Sequence, residues 1–410
     1  MPLDFTLTEE ERLVLDGLRQ FNDQESVKLE EANVDLLDNQ RRKYDESGRC
    51  TPEVLDLQKR VRVASAKAGY YTILSPSELG GGGLGPVMTY RIWESLFSRY
   101  GPQYELPYLS VAHWTRGPGP FLLHLQDRPR AEALPGLMSG EETSCFAMSE
   151  PDAGSDAWML HTKAVADGDN YVINGSKQWI TNAPYANYVF IVAITDADLA
   201  AKRAGGVSLI FAKTANPGYS VDGVIRLFGE IGGHEAVISF HDMRVPRDGL
   251  VGNEGEGFKL ALAGVANGRL YNSARGVGHA QWALAKATQY SQERITFGEP
   301  IGNNQGVSFM LADTAIDIYA AKYMGLHCAW LVEKGEPAIK ELAMAKAFST
   351  ESAFRAYDRA IQVYGGLGLS NETHLYKGWH SARTIRIADG SGEILRRTIA
   401  QRLFRGDVTF

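Results

Sequence analysis

Cysteine is scarce in this sequence of 410 residues, which contains only three, at positions 50, 145 and 328. Isolated cysteines without a CxxC pair argue against a disulfide framework or a zinc site and favour a reducing compartment. The sequence also lacks an apolar run of membrane-spanning length, and its first residues are acidic where a targeting peptide would be basic. We therefore expect a cytoplasmic protein with no membrane insertion and no metal site.

An excess of positive charge is also absent, because 42 lysines and arginines face 49 aspartates and glutamates. This balance argues against a general nucleic-acid-binding surface. A glycine run at residues 80–83 lacks the Lys-Ser/Thr of a phosphate-binding loop and the spacing of a dinucleotide fingerprint, so we expect a mobile connector between helices. With 44% hydrophobic residues, the chain is long enough for two or three domains.

Three regions differ in their hydrophobic spacing. Residues 8–133 show largely helical spacing, and Thr8 with Glu11 resembles a capping box. Short β-rich runs follow and predict a small barrel or sandwich; they cover residues 171–174, 188–195, 207–213 and 237–243. Helical spacing then returns over residues 260–293, 304–332, 339–364 and 375–403. We predict an α+β multidomain protein with domain boundaries at 1–141, 142–255 and 256–410.

Two segments between residues 144 and 182 suggest a flavin cradle. Residues 145–149 can offer backbone groups to the edge of a planar ring, and residues 150–155 form a turn that lets the chain double back. Trp179 would cover one ring face. Thr181, two residues further along a strand, would share that face and offer its hydroxyl. Taken singly, each piece is more typical of an ordinary hairpin with a surface turn and a core tryptophan.

With both segments in this order and at this separation, the sequence resembles the acyl-CoA dehydrogenase family, in which they hold the isoalloxazine ring of FAD. The resemblance covers nearly the whole chain. It implies an N-terminal helical domain, a middle β-barrel domain and a C-terminal four-helix-bundle domain. It also implies FAD contacts at Phe146, Met148, Ser149, Ser155, Trp179, Thr181, Arg294, Phe297, Gln305, Gln362, Gly366, Ser391 and Glu393.

Some of these matches imply a multi-subunit enzyme. Arg294 and Phe297 match family residues that reach the FAD of a neighbouring subunit, and Gln362 with the following double glycine matches a subunit contact. The resemblance therefore implies a homotetramer, a dimer of dimers. By itself, Arg294 would be a solvated helix charge, and the double glycine would be typical of a helix C-cap.

The resemblance also assigns a catalytic base. An isolated Asp-Gly is typical of a turn, but Asp389-Gly390 stands where the family has a glutamate just before the last helix. A second family location for the base immediately precedes Arg269, and Gly268 occupies it here. Asp389 is about 1.5 Å shorter in reach than glutamate, so the site must bring the backbone or substrate closer. The surrounding sequence is nearest to the 10/11-type branch, which has Asp at this position, and nitroalkane oxidase also has Asp there.

The resemblance implies that the backbone N–H of Gly390 and a ribityl hydroxyl of the flavin polarise the thioester carbonyl. Burial should raise the pKa of Asp389 toward that of the substrate. Ser155 and Arg269 match positions that contact the CoA moiety, although a turn hydroxyl and a helix salt bridge are the alternatives. Gly268 and Ala388 are small, which suits a branched, cyclic or hydroxylated acyl group unless a bulky neighbour such as Trp114 or Tyr108 fills the space.

The resemblance thus implies FAD-dependent α,β-dehydrogenation of an acyl-CoA, with electrons passing to an electron-transfer flavoprotein. Two alternatives stay open. One is a flavin oxidase of the same superfamily, similar to nitroalkane oxidase, for which rapid reoxidation by oxygen would be diagnostic. The other is a non-catalytic flavin- or CoA-binding protein, suggested by the replacement of glutamate with Asp389.

Overall fold

The computed structural model describes residues 5–409. Its α-helices are α1 Glu9–Phe21, α2 Val27–Glu31, α3 Val34–Leu37, α4 Gln40–Lys43, α5 Pro52–Lys67, α6 Pro86–Tyr100, α7 Asp127–Met138, α8 Ala197–Ala201, α9 Gly257–Glu293, α10 Gln305–Glu333, α11 Ile339–Tyr364, α12 Leu375–Ile385 and α13 Gly392–Phe404. Its strands are β1 Ser144–Ala147, β2 Lys163–Asp167, β3 Asn170–Thr181, β4 Tyr188–Ile194, β5 Val207–Lys213, β6 Tyr219–Val224, β7 Glu235–Pro246, β8 Leu250–Val251, β9 Ile295–Thr296 and β10 Glu299–Pro300. The predicted order of helical, β and helical regions is confirmed.

The first helix begins at the predicted capping box. The Thr8 backbone N–H donates to a Glu11 carboxylate oxygen at 2.8 Å, and the Glu11 N–H donates to the Thr8 hydroxyl at 3.2 Å. These two bonds satisfy donors that a helix N-terminus leaves unpaired. The cap therefore fixes where α1 begins.

The first eight strands form one sheet in the order β6-β7-β3-β2-β4-β5-β8, with β1 paired in parallel to β4. Strand β4 is apolar on both faces because both are covered. Tyr188 and Phe190 belong to one hydrophobic core, whereas Val189 and Ile191 belong to the other. Successive side chains point to opposite faces of a strand, which explains why this segment reads as a continuous apolar run.

The C-terminal helices α9 to α12 share one hydrophobic core, built from small and aromatic side chains such as Ala280, Ala321 and Tyr357. The last helix, α13, contacts α11 through Leu395 and Ile399. Alanine at the contacts allows close approach of the helices, as the predicted helical bundle requires. No helix among residues 5–409 has the length and apolarity needed to cross a membrane.

The chain divides into two compact units, which do not follow the order of the sequence. The first unit contains the chain up to Gln20, Gly85–Tyr108 and the chain from Val265 onward. The second unit contains Phe21–Leu84 and Leu109–Gly264, and therefore the eight-stranded sheet. The domain boundaries expected from the sequence remain a prediction.

Two details differ from the sequence predictions. The helical run expected over 375–403 is interrupted after Ile385, because Asp389 and Gly390 adopt left-handed backbone angles, with φ of 54° and 102°. The glycine run lies between α5 and α6 as predicted, but backbone hydrogen bonds hold it in one conformation, which differs from the mobile connector that was expected. The N–H of Gly82 donates to the carbonyl of Thr72 at 3.0 Å, and the same loop makes several other backbone hydrogen bonds.

Candidate active site

The loop between α12 and α13 carries the predicted base. Asp389 has a left-handed backbone, and Ser391 then caps α13 by accepting a hydrogen bond from the N–H of Ile394 at 3.4 Å. A left-handed aspartate followed by a left-handed glycine turns the chain sharply, so the carboxylate can face the helices beside it. The turn expected from an Asp-Gly pair and the predicted site are thus the same feature.

Three side chains from two other helices hold this loop. Asn272 on α9 donates from Nδ2 to Oδ2 of Asp389 at 2.7 Å, and Arg269 on the same helix donates from Nε to the Asp389 carbonyl at 3.1 Å. Lys346 on α11 donates from Nζ to the carbonyl of Gly390 at 2.8 Å. Lys346 and Asn272 are buried. Both peptide carbonyls of the Asp-Gly pair are therefore fixed.

Gly268 makes room for the Asp389 side chain. A β-carbon at this position would lie 2.7 Å from Cγ of Asp389, closer than real side chains approach. The sequence interpretation was that Gly268 opens space near the substrate, but the space directly beside it contains the Asp389 carboxylate. Gly268, the second position that the resemblance suggested for a base, thus lies directly beside Asp389.

Burial and the neighbouring polar groups shift the pKa of Asp389 in opposite directions. Burial raises the pKa of its carboxyl above the usual value, while Lys346, Arg269, the Asn272 hydrogen bond and Arg275 lower it, and the net direction is upward. Burial also lowers the pKa of Lys346, to about 8, although Asp389 acts in the opposite direction. A carboxyl group with a raised pKa is a stronger base when ionised than a solvated aspartate.

Asn272 was missed from the sequence. It lies four residues after Gly268 on α9, and residues four apart share one face of a helix. That spacing is the signal that could have identified it, because a polar side chain one turn from the glycine faces the same space. Its amide donor partly explains how the shorter aspartate is held in place.

A buried polar chain extends from this region. Arg275 donates from Nη2 to Ser381 Oγ at 2.7 Å, Ser381 lies 3.3 Å from His279 Nε2, and His279 Nδ1 lies 2.8 Å from the Tyr357 hydroxyl. The Arg275 guanidinium also lies over the ring of Phe97, 5.3 Å from its centroid. Helix α12 is therefore bonded to α9 here through the uncharged Ser381 hydroxyl, which contacts the charged Arg275 and the buried His279.

The second unit contains the predicted flavin segments. The Met148 carbonyl accepts from Lys177 Nζ at 2.9 Å, and the Ser149 carbonyl accepts from the Gln178 N–H at 2.9 Å. The ring of Phe146 lies 5.4 Å from that of Trp114. Two carbonyls that the sequence interpretation offered to a ligand are thus engaged within the protein, and they join β1 to β3.

An ion pair beneath this segment is almost fully buried. Lys177 Nζ lies 2.8 Å from Glu150 Oε1, and both side chains are inaccessible. Burial tends to raise the pKa of Glu150, but Lys177 and the donors at Thr162 and His161 outweigh it, so the pKa is lowered. The predicted turn follows, since Glu150 and Ala153 exchange backbone hydrogen bonds, and Ser155 beyond it is exposed.

Trp179 does not lie on a regular strand. Its φ is 66°, and the pairing of β3 with β7 shifts register between Lys177 and Ile180. A bulge of this kind re-aims a side chain, and here it leaves the Trp179 ring 52% exposed. Thr181 donates its hydroxyl to Glu235 at 3.5 Å. The argument from regular strand alternation does not hold across this bulge, and a shared face remains a prediction.

The residues predicted to reach a neighbouring subunit lie on the surface of the first unit. Phe297 occupies the tip of the β9–β10 hairpin with a φ of 53° and a fully exposed ring. Arg294 just before the hairpin and Gln305 at the start of α10 are exposed as well. The helix α11 ends at a Gly365 C-cap as expected, and no atom lies within 4 Å of a β-carbon placed on the exposed Gly366.

Four further predicted positions are accounted for. Gln362 in the last turn of α11 is exposed, as are Glu393 in α13 and Ala388 beside the base, and Ser391 is partly exposed. Gly390 and Arg269 meet at the loop already described. The structure therefore brings together Asp389, Gly390, Arg269 and Gly268 in the first unit, and the Phe146 to Thr181 segments in the second.

Comparison with known proteins identifies the family. The family model "Acyl-CoA dehydrogenase, middle domain" matches residues 145–243, and "Acyl-CoA dehydrogenase, C-terminal domain" matches residues 255–404. The chain belongs to the acyl-CoA dehydrogenase family. FAD is the cofactor of this family, and the half-exposed Trp179 ring beside a fixed β1 segment fits a flat ligand.

Individual relatives agree with this assignment. The short-chain specific acyl-CoA dehydrogenase of human mitochondria is 36% identical over 80% of this chain and 79% of its own length. Subunit CarC of the caffeyl-CoA reductase-Etf complex of Acetobacterium woodii is 32% identical over 92% of this chain and 94% of its own. The butyryl-CoA dehydrogenase structure from Megasphaera elsdenii has 26% identity and a TM-score of 0.81, with 98% and 100% of the chains covered.

Proposed function

We propose that this acyl-CoA dehydrogenase converts an acyl-CoA thioester to the 2-enoyl-CoA, with Asp389 removing the α-proton. The observation that carries the proposal is a carboxylate that packs directly against Gly268, accepts a single side-chain amide donor from Asn272, and is flanked by cations that form no direct ion pair with it among the described residues; its pKa is raised. Such a group can take a proton from a weak carbon acid. FAD, when bound, supplies the two-electron acceptor for the hydride that leaves the β-carbon.

The same loop supplies a donor for the thioester oxygen. The Asp389 carbonyl and the Gly390 N–H belong to one planar peptide, in which they point in opposite directions. Because Arg269 donates to that carbonyl at 3.1 Å, it fixes the direction of the N–H and polarises it. We therefore assign Arg269 a positioning role for the Gly390 N–H, which would stabilise the enolate as it forms. This assignment replaces a direct contact of Arg269 with CoA in our proposal, while Ser155 remains a candidate for that contact.

Cofactor binding is proposed at the two surfaces described above. Phe146, Met148, Ser149, Trp179 and Thr181 would hold the ring system. Arg294 would pair its planar guanidinium with a pyrophosphate. On the first unit, the positions proposed to contact FAD, in part from a neighbouring copy, are exposed or partly exposed; they are Phe297, Gln305, Gln362, Gly366, Ser391 and Glu393.

We also propose a homotetramer, because several large apolar side chains of the first unit are exposed. Helix α10 presents Phe309, Ile316 and Tyr319 with more than half of each side chain exposed. Large apolar side chains clustered on one helix face mark an interaction surface. An exposed Phe297 at a hairpin tip would likewise gain a partner in an assembly.

The electron acceptor is proposed to be an electron-transfer flavoprotein, supported by a relative whose name places it in a complex with Etf. The scarcity of cysteine supports a cytoplasmic location. For the acyl group, we propose a branched, cyclic or hydroxylated chain, because Ala388 beside the base is small and exposed. A clear preference for short unbranched chains would contradict this last point.

The test uses the purified holoenzyme under anaerobic conditions, titrated with straight, branched, cyclic and hydroxylated acyl-CoAs while flavin absorbance is recorded. We expect prompt bleaching with one class, and loss of bleaching in Asp389→Asn with FAD still bound. Asp358→Asn, on an exposed position of α11, is the matched control and should bleach normally. Unchanged bleaching in Asp389→Asn would remove Asp389 from the role of base. Rapid reoxidation by oxygen alone would favour an oxidase, and bound flavin that never bleaches would favour a non-catalytic protein.

A further inference from the structure

Lys346 is one of three buried lysines among residues 5–409, and it differs from the other two. Lys177 and Lys340 each lie 2.8 Å from a carboxylate oxygen, of Glu150 and Asp407 respectively. Lys346 forms no ion pair within the described part of the chain, and it was not among the residues assigned from the sequence. Lysine is rarely buried without a partner. The position of this ammonium group therefore requires an explanation.

The sequence of α11 places Lys346 on the buried face of the helix. Residues three or four positions apart lie on one helix face, and the residues at positions 342, 343, 349 and 350 are all buried. Ala343, on this face, packs in one small core with Leu395 of α13. The lysine side chain therefore runs from the contact between α11 and α13 to the loop before α13, where Nζ meets Gly390.

The ammonium group makes one hydrogen bond among residues 5–409, to the carbonyl of Gly390 at 2.8 Å. That carbonyl belongs to the peptide that joins Gly390 to Ser391, the N-cap of α13. Arg269 holds the preceding peptide through the carbonyl of Asp389 at 3.1 Å. The two peptides on either side of Gly390, which has a φ of 102°, are thus each held by one cation. All of these residues belong to the first unit.

One carboxylate is available to balance the charge of Lys346. The charged groups that face the lysine belong to Asp389, Arg269 of α9, Arg386 at the end of α12 and Glu351 of α11. Glu351 is already paired with Arg396 of α13 through two hydrogen bonds, at 2.8 and 2.9 Å, and it lies 3.9 Å from Arg386. The Asp389 carboxylate is therefore the counterion of the buried ammonium group.

The pKa values of the two groups show the same coupling. Burial raises the pKa of Asp389, and the charge of Lys346 is the largest influence that opposes it, ahead of Arg269, Asn272 and Arg275. Burial lowers the pKa of Lys346 to about 8, and Asp389 is the largest influence in the opposite direction. Protonation of Asp389 would leave Lys346 as a buried cation without a counterion, which is unfavourable. Each group therefore favours the charged form of the other.

We propose that Lys346 is a positioning residue for the dehydrogenation, because its positive charge keeps Asp389 ionised at neutral pH and its hydrogen bond fixes the Gly390–Ser391 peptide. This inference rests on the proposed function and adds to it a residue that acts through the base. Lys346 is protonated below about pH 8. Its charge therefore acts over the acid limb of the rate profile, where the ionisation of Asp389 limits the rate.

The first measurement is the pH profile, from pH 5 to 9, of anaerobic flavin bleaching by a substrate identified in the titration. The proteins are the wild-type holoenzyme, Lys346→Met, Lys346→Gln, Lys346→Arg and the control Lys334→Met, at an exposed position after α10. Methionine removes the charge and the donor, glutamine removes only the charge, and arginine keeps both. In Lys346→Met and Lys346→Gln, we expect the acid limb to move to higher pH by about one unit. Lys346→Arg and the control should keep the wild-type position.

A lysine that only holds the Gly390 carbonyl would give a different result. Lys346→Gln would then keep the wild-type acid limb, because glutamine still offers a neutral donor. An acid limb in Lys346→Gln that coincides with that of the wild type would therefore overturn the inference. If Lys346→Met does not fold with FAD bound, Lys346→Gln decides alone. If no acyl-CoA bleaches the wild-type flavin, the proposed function fails, and the second measurement still tests the coupling of the two charges.

The second measurement needs no turnover and follows the midpoint of denaturant unfolding of the holoenzyme from pH 6 to 10. In the folded protein, Lys346 releases its proton with a pKa of about 8, whereas an unfolded lysine keeps its proton up to about pH 10.4. The unfolded state binds more protons between these values, so the wild-type midpoint should rise with pH relative to that of Lys346→Met. In Asp389→Asn, the rise relative to the double variant should begin at a lower pH, because the counterion is lost. The same starting pH in both comparisons would overturn the inference.

Discussion

Replacing Asn272 with leucine removes the one side-chain hydrogen bond that the carboxylate of the proposed base accepts among residues 5–409. The variant keeps the side-chain size but removes the donor 2.7 Å from Oδ2 of Asp389. A hydrogen bond to a charged group contributes on the order of 1.5 to 3 kcal/mol, which corresponds to about a 10- to 160-fold change in the acid dissociation constant. Because the bond stabilises the ionised form, its loss raises the pKa of Asp389 further.

A higher pKa leaves less ionised base at low pH, so the acid limb of the rate profile moves to higher pH. The assay is anaerobic single-turnover bleaching of the flavin by a substrate identified in the titration, followed from pH 5 to 9. The matched control is Asn174→Leu, which removes an exposed bond to Asp242 at 3.0 Å and should leave the profile unchanged. An acid limb in Asn272→Leu that coincides with that of the wild type would refute the assignment of Asn272 as a positioning residue.

Three further predictions concern packing and charge. Gly268→Ala should abolish flavin bleaching and cost about 1 to 3 kcal/mol in chemical denaturation, because the new methyl overlaps the base, whereas Gly306→Ala, with open space around it, should cost nothing. Lys177→Met should lower the free energy of unfolding by about 3 to 5 kcal/mol by leaving its buried glutamate unpaired, while the exposed Lys213→Met should change it by less than about 1 kcal/mol. Burial lowers the pKa of His279 well below 6.5. The neutral imidazole therefore contributes to the free energy of unfolding above pH 6.5, and this contribution is lost as the pH falls below that value. In His279→Gln, the melting temperature should fall less steeply on the acid side of its pH profile. A profile as steep as that of the wild type would contradict the last prediction.

The helices were the most predictable part of the fold. The helix over 339–364 was predicted with the bounds that α11 has, since its apolar residues keep helical spacing throughout. The break between α12 and α13 was harder to place, because it depends on two left-handed residues within an otherwise periodic run. The resemblance assigned Asp389 as the base from its position before the last helix. The i+4 spacing of Asn272 from Gly268 could have placed the amide on the same helix face, but its contact with Asp389 joins positions 117 residues apart and depends on the tertiary fold.

The bulge at Trp179 was unpredictable for a different reason. Tryptophan has no preference for left-handed backbone, so no propensity signals φ of 66° at that position. The hydrogen bond from Lys177 to the Met148 carbonyl could not be predicted either, because a lysine in a sequence is normally assigned to the surface. Tertiary contacts override local preference at both places.

Trp179, Phe297 and Asp389, three residues assigned to the proposed chemistry, have φ between 53° and 66°. Such backbone angles cost on the order of 1 kcal/mol or more for residues with a β-carbon, and glycine would relieve them. Directed evolution of this protein for heat resistance alone would therefore favour glycine at these positions and erode activity. A library selected simultaneously for turnover should retain the original side chains, so the difference between the two selections would map the active site without any homologous sequence.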